Sequence, residues 1–239
     1  MVIFLLDIHS HILFGVDDGA KTVDESISLL ELMKKEGIEK VIATPHFYPQ
    51  DTNIDEYLNT VNKNFKTLKT IAQRKKLPDI YLGCELLYFA GMGQSTSLSR
   101  LSLNNSNYLL LELTDNCINE KLFSDITTLM NQSGIIPIIA HIERYSKSKN
   151  FKKLLSFASE NKIPVQVNAT SFLMRIFKSA IKKIIKTNLT IILGSDSHSI
   201  DVRPPRYQEA LSYIEKKYGS EFKTKLINNS KQYQNKILG

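Results

Sequence analysis

The stretch Val2-Ile3-Phe4-Leu5-Leu6-Asp7-Ile8-His9-Ser10-His11 sets a pattern that the rest of the chain repeats. An apolar run closes on polar residues, with two histidines separated by a single serine. On a strand, residues i and i+2 lie on the same face, so both imidazoles leave the strand end on one side. Similar runs recur at 40–44, 80–83, 108–111, 135–140, 164–167 and 190–193, and with 2–7 they make seven expected strands. Nearly continuous apolar content is the pattern of parallel strands covered on both faces.

Amphipathic spacing predicts helices between these runs. Thr22-Val23-Asp24-Glu25 reads as a capping box that opens a helix with Ile27, Leu29, Leu30 and Met33 inward and Gly37 as its stop. Further helices are expected over 54–74, 120–132, 150–160, 174–186, 205–217 and 220–228. Alternating strands and helices allow either a βα-barrel or an open doubly wound sheet. The strand endings favour the barrel. They carry His9 and His11, His46, Glu85, Glu112, His141, then Asp196 and His198, while the sixth strand ends in Asn168. An open sheet would hold its outermost strand ends too far apart to meet, whereas a barrel gathers them round one mouth. The expectation is therefore a single α/β domain over residues 1–239, a distorted (βα)7 TIM-like barrel.

Bulk properties narrow the function classes. A chain of 239 residues with 42% hydrophobic content buries a substantial core. The net charge of +7 is spread over stretches such as 66–76 and 178–186, so it reads as a solvated face or as a surface for an acidic or phosphorylated partner. No nucleic-acid motif is present, and no run approaches the roughly 20 apolar residues of a membrane span. The polar interruption at Asp7 and His9 comes too early for a signal peptide. Cys84 and Cys117 form no close pair, which fits thiols in a reducing compartment and a cytoplasmic protein.

All five histidines fall in the strand-end pattern. His9-x-His11, Glu85, Glu112, His141 and Asp196-x-His198 together are a metal-type donor set. Asp17-Asp18-Gly19 follows the first motif closely enough to curl back over the mouth, with Gly19 permitting the turn. Buried carboxylates without cations would repel one another at severe cost. Nitrogen and oxygen donors without cysteine suit manganese, iron or catalytic zinc. Three divalent ions against Asp18, Glu85, Glu112 and Asp196 leave a positive remainder that a phosphate dianion would match. Arg144 and Arg203 stand close after His141 and His198, and guanidinium forks suit phosphate oxygens. Such a site would activate water for in-line attack and need no protein nucleophile. A cysteine-dependent phosphatase is excluded, because the C-x5-R arginine is replaced by Ala90 after Cys84 and by Phe123 after Cys117. Small buried roles suit both thiols better.

These residues resemble the PHP (polymerase and histidinol phosphatase) superfamily, and more closely the CpsB/CapC-type tyrosine-protein phosphatases of bacterial capsule and exopolysaccharide loci. The matching stretches are 7–13 with Gly15-Val16-Asp17-Asp18-Gly19, Ala43-Thr44-Pro45-His46, Gly83-Cys84-Glu85, Leu111-Glu112, 139–145, and Ser195-Asp196-Ser197-His198 with Arg203-Pro204-Pro205. The resemblance implies a PHP-type barrel holding three metal ions, usually manganese, and hydrolysis by a metal-bridged hydroxide. It implies that His9, His11, Glu85 and Asp196 hold the first ion. Glu85, Glu112 and His141 would hold the second, and Asp18, His46 and His198 the third. Arg144 and Arg203 fall on the family's phosphate-contacting arginines. The implied substrate is phosphotyrosine on the tail of a bacterial tyrosine kinase. Residues 87–107 carry little likeness, and Cys84 stands where a small residue such as alanine is usual. The competing expectations are a small-molecule phosphatase, for example on histidinol phosphate, and a non-catalytic binding protein stabilised by metal. A nuclease would need a basic aromatic groove that the sequence lacks.

Overall fold

A strand that is apolar on both faces needs cover on both sides, and β1 (Leu5–Ser10) is buried along its whole length. The computed structural model describes residues 5–239, so residues 2–4 of the first expected strand lie outside the described residues. The remaining strands are β2 (Ile38–Ala43), β3 (His46–Phe47), β4 (Asp79–Leu82), β5 (Glu85–Leu87), β6 (Tyr108–Glu112), β7 (Ile136–Ile139), β8 (Val165–Asn168) and β9 (Ile191–Gly194). Every pairing among them is parallel. They form a three-stranded sheet, β1-β2-β4, and a six-stranded sheet, β3-β5-β6-β7-β8-β9. The result is a mixed α/β fold with the expected alternation.

Two short strands were not expected, and both arise from kinks. Pro45 has no N–H to donate, so the run through β2 breaks before resuming as β3. The run through β4 breaks at Gly83, where a Cβ would meet Leu103 Cδ2 at 2.5 Å, so only glycine fits. Backbone bonds from Gly83 N to Ala43 O (2.8 Å) and from Glu85 N to Pro45 O (3.1 Å) carry the pairing across both kinks. At the other side, Asp196 N donates to His9 O (2.8 Å) and His11 N to Ser197 O (2.9 Å), so the chain after β9 meets the end of β1.

The helices are α1 (Val23–Lys35), α2 (Ile54–Arg74), α3 (Glu120–Ser133), α4 (Phe151–Glu160), α5 (Lys178–Ile185), α6 (Tyr207–Tyr218) and α7 (Ser220–Leu238). In α1, Leu29, Leu30 and Met33 are buried and Ile27 half-buried. Burying each of the larger side chains stabilises the fold by about 1.5–3 kcal/mol. Thr22 caps the helix by accepting from Glu25 N (3.2 Å), but the Glu25 carboxylate reaches back to Lys21 N (2.7 Å) and leaves the capping box incomplete. The expected helix over 174–186 begins later, because residues Arg175–Phe177 form a 3-10 turn. The last helix runs past 228, its buried side following Leu226, Ser230, Tyr233 and Ile237. Residues 87–107 form short 3-10 turns that bury Met92, Leu98, Leu101 and Leu103. Among the described residues, no helix is long and apolar enough to cross a membrane.

Cys84 is buried in the core, as its small-residue role required. Cys117 is not: it is half-buried, with Sγ 3.1 Å from Thr114 O, because a short 3-10 turn after β6 carries it toward the surface.

Gly19 serves a different purpose from the one expected. Its φ is not in the left-handed region, where Gly15 sits at +64°. Instead the chain passes so close to His11 that a Cβ at position 19 would lie 2.1 Å from His11 O. Gly19→Ala should therefore push the Asp17–Gly19 turn off the end of β1, at a cost of about 1–3 kcal/mol. Thermal denaturation of the variant checks this, and an unchanged melting temperature would mean the turn yields freely.

Candidate metal centre

All the expected donors converge, though His46 and Glu85 open the short strands β3 and β5 where strand ends were expected. His9 and His11 project from the end of β1, and their Nε2 atoms lie 3.2 Å apart. Glu85, at the start of β5, places Oε2 3.1 Å from His9 Nε2, 3.2 Å from His11 Nε2 and 3.1 Å from His46 Nδ1. Its other oxygen is 2.9 Å from His141 Nε2. Glu112 at the end of β6 approaches the same imidazole at 3.5 Å and His46 Nδ1 at 3.8 Å. Asp18 reaches in from the turn after β1 to within 3.2 Å of His198 Nε2 and 3.5 Å of His46 Nε2. Asp196 Oδ1 lies 3.5 Å from both His9 and His11. No expected donor is left outside.

Three sets of donor atoms lie within reach of a shared ion: His11, Asp18, His46 and His198; His9, His11 and Asp196; and His46, Glu85 and Glu112. The partition differs in detail from the one implied by resemblance. His11 faces two sets, and His46 faces Glu85 and Glu112 as well as Asp18, while His141 bears on Glu85 and Glu112 from one side.

Orientation comes from residues that the strand-end pattern does not single out. His9 Nδ1 donates to Gln166 Oε1 (3.1 Å), and His11 Nδ1 to Asp17 Oδ2 (2.7 Å). His198 Nδ1 donates to the Asp196 carbonyl (3.0 Å), and His141 Nδ1 pairs with the Tyr145 hydroxyl (3.1 Å). Each bond fixes one ring nitrogen and turns Nε2 toward the cluster, as metal-binding histidines require. Gln166 also accepts from His141 N (2.6 Å), and Asn168 Nδ2 donates to Asp196 Oδ2 (2.8 Å). A buried glutamine inside a strand, at Gln166, was the available signal for the first of these. His141 and Asp196 both adopt positive φ, at +29° and +53°. Non-glycine residues in that region cost about 1–3 kcal/mol each and cluster at functional sites.

Charge is strongly redistributed. Burial opposes ionisation of Glu85, yet His9, His11 and His141 hold its carboxyl well below the usual range. Burial and the nearby Glu85 push Glu112 up to about 7. His11 is raised to about 10 against the effect of burial, through Asp17 and Glu85. His198 is lowered to about 4 by burial, His11 and Arg203.

Arg144 and Arg203 both bear on Asp196. Arg203 Nη2 sits 2.5 Å from Oδ2, Arg144 pairs with the same oxygen, and Arg203 Nη1 donates to His198 Nε2 (2.9 Å). Both guanidiniums are about one-third exposed and so remain accessible from the mouth.

Cations fit this donor set. Glu85 Oε2 and His46 Nδ1 are fully buried, lie 3.1 Å apart, and neither has a hydrogen-bond partner. An unsatisfied buried carboxylate oxygen costs several kcal/mol, on the order of the penalty for an unpaired charge. A shared cation resolves both orphans at once.

A model of the capsular polysaccharide synthesis CpsB/CapC family matches residues 5–235. The chain belongs to the CpsB/CapC family. It is 31% identical over 241 residues to the tyrosine-protein phosphatase CpsB of Streptococcus agalactiae serotype III, covering 95% of this chain and 97% of the relative. It is 30% identical over 239 residues to the tyrosine-protein phosphatase YwqE of Bacillus subtilis, covering 95% and 90%. Among solved structures, one from work on B. subtilis YwqE and Streptococcus pneumoniae CpsB, described as metal-dependent tyrosine phosphatases, superposes with a TM-score of 0.80 at 27% identity over 97% of this chain and 95% of that one. A candidate histidinol phosphatase from Listeria monocytogenes shares the fold, with a TM-score of 0.53 at 12% identity over 85% of this chain and 99% of that one.

Metal loading must displace the protons held by Glu112 and His11, since ligands bind as carboxylate and neutral imidazole. Affinity for a divalent cation should therefore rise with pH through about 7, as Glu112 loses its proton, and continue to rise toward about 10, where His11 loses its own, with net proton release. Calorimetric titration of manganese in buffers of differing ionisation enthalpy measures that release. A pH-independent affinity with no proton exchange would contradict the protonation pattern described.

Proposed function

We propose that the chain is a metal-dependent protein-tyrosine phosphatase of the CpsB/CapC family, a phosphoric monoester hydrolase. The observation that carries this reading is the convergence of buried imidazoles and carboxylates on orphaned Glu85 Oε2, with two arginines at the rim. Its relatives bear the name tyrosine-protein phosphatase over nearly their whole length, which supports the substrate class.

The ligands in this reading are His9, His11, Asp18, His46, Glu85, Glu112, His141, Asp196 and His198. Three divalent ions, manganese foremost, suit a donor set of this size and composition. When bound, such ions lower the pKa of water and offset the charge of the phosphoryl group. The chain's own residues do the rest. Gln166, Asp17, Tyr145 and the Asp196 carbonyl hold four imidazoles in their ligating orientation. Arg144 and Arg203, now paired with Asp196 Oδ2, turn to the incoming phosphate oxygens and stabilise the charge that builds on them during transfer.

A closed (βα)7 ring and a single domain over 1–239 belong to the same reading. Closure is supported by the backbone bonds between β1 and the chain after β9. Unity is supported by one core that contains both Leu5 and Leu226. The partner is a phosphotyrosine-bearing protein tail, such as that of a bacterial tyrosine kinase controlling capsule or exopolysaccharide synthesis. Free thiols at Cys84 and Cys117 support a cytoplasmic setting.

Manganese-loaded protein should hydrolyse a phosphotyrosine peptide in preference to histidinol phosphate, and a chelator should abolish the activity. Preference for histidinol phosphate would move the assignment to a small-molecule phosphatase. Absence of chelator-sensitive turnover on either would favour a binding role. His9→Ala and Asp196→Ala should eliminate turnover while circular dichroism stays native. Arg144→Ala should lower kcat/KM by about a hundredfold; kinetics equal to the parent would remove that side chain from the site.

A further inference from the structure

Beside the metal centre, on the Asp196 Oδ2 side, lies a cleft of about 440 Å³. Arg144, Arg203 and Asp196 line its inner end. Its apolar lining is Met174 and Phe177 on the segment after β8 and Val202 and Pro204 on the segment after β9, and Thr170, Ser171 and Arg206 line it beside them. Among the described residues, the large hydrophobic side chains exposed to solvent are Met174, Ile176, Ile200 and Val202, and Val202 is 84% exposed. All of them fall on these two segments. Scattered exposed aliphatics are ordinary, but confinement to two adjoining loops at the mouth of one site marks a binding surface.

We infer that this cleft is the aryl subsite: Met174, Phe177, Val202 and Pro204 receive the aromatic ring of a phosphotyrosine side chain while its phosphate lies against Arg144 and Arg203. This rests on the phosphatase reading and adds the residues that select the ester. The charge pattern fits one occupant. Cationic forks at the inner end match a dianion, and apolar walls follow where an aryl ester carries its ring, one ester oxygen away. A phosphorylated alkyl side chain would fill the arginine end and leave the walls wet. Ring burial contributes in proportion to apolar area, so the walls discriminate between esters that the metal centre treats alike.

Binding of non-hydrolysable phosphonates to manganese-loaded protein tests the subsite without turnover. Benzylphosphonate carries a ring at the spacing of an aryl ester, and methylphosphonate lacks it. By calorimetry, benzylphosphonate should bind about tenfold or more tightly than methylphosphonate. The double substitution Met174→Ser with Val202→Ser should shrink that ratio by about threefold or more. Equal affinities in the parent protein, or a ratio undiminished in the double variant, would overturn the assignment. Failure of the phosphatase reading itself registers elsewhere, as absence of chelator-sensitive hydrolysis.

Discussion

Electrostatic repulsion among buried donors is the constraint on which this structure depends. Glu85, Asp196, His9, His11 and His141 are all nearly or fully excluded from solvent, and Glu85 lies within 3.2 Å of His9, His11 and His141. Removing so many ionisable groups from water is costly, and pairing among themselves leaves Glu85 Oε2 and His46 Nδ1 unsatisfied. Carboxylates and imidazoles in this density are tolerated when cations complete the balance. The fold therefore carries its instability at one point and stabilises it from every side with packed apolar strands.

That arrangement explains why the supporting polar groups are as buried as the donors. Gln166, Asn168, Glu143 and Asp7 are buried, and each is hydrogen-bonded to groups that shape the rim. Asp7 accepts from Ser195 N (2.8 Å) and from the Tyr207 hydroxyl (3.1 Å), tying β1 to the chain beyond β9 and to α6. Glu143 accepts from Ser171 Oγ (2.6 Å) and Asn168 N (3.2 Å), tying the turn after β7 to the end of β8. Burial raises Glu143 to about 7. These links pass between neighbouring strand ends, so an error in one donor's position propagates to the next.

The same geometry connects binding to recognition. Asp196 points one oxygen at the imidazoles and the other at two guanidiniums, so it separates the metal side of the mouth from the arginine side. Loops after β8 and β9 then extend the arginine side outward with apolar residues. Strands carry His9, His46, Glu85 and Glu112, while Asp18, His141, Asp196 and His198 stand on the turns that follow strands.

Much of this was legible in the residues alone. Strand runs emerged from continuous apolar content, and α2 emerged from its spacing at the bounds it adopts. The donors stood out because every histidine in the chain closely follows an apolar run. Local pattern suffices there, since burial on both faces and the i, i+2 rule act on neighbouring residues. The close approach of Leu103 to Gly83 and the choice of Gln166 as an orienting partner were decided by tertiary structure. So were the split of the strands into two sheets, the sharing of His11 and His46 between donor sets, and the meeting of Met174 with Val202 across one cleft. Each depends on atoms far apart in the chain approaching within a few ångströms. Sequence periodicity records which face a residue occupies, whereas the partner it finds there is set only when the strands pack.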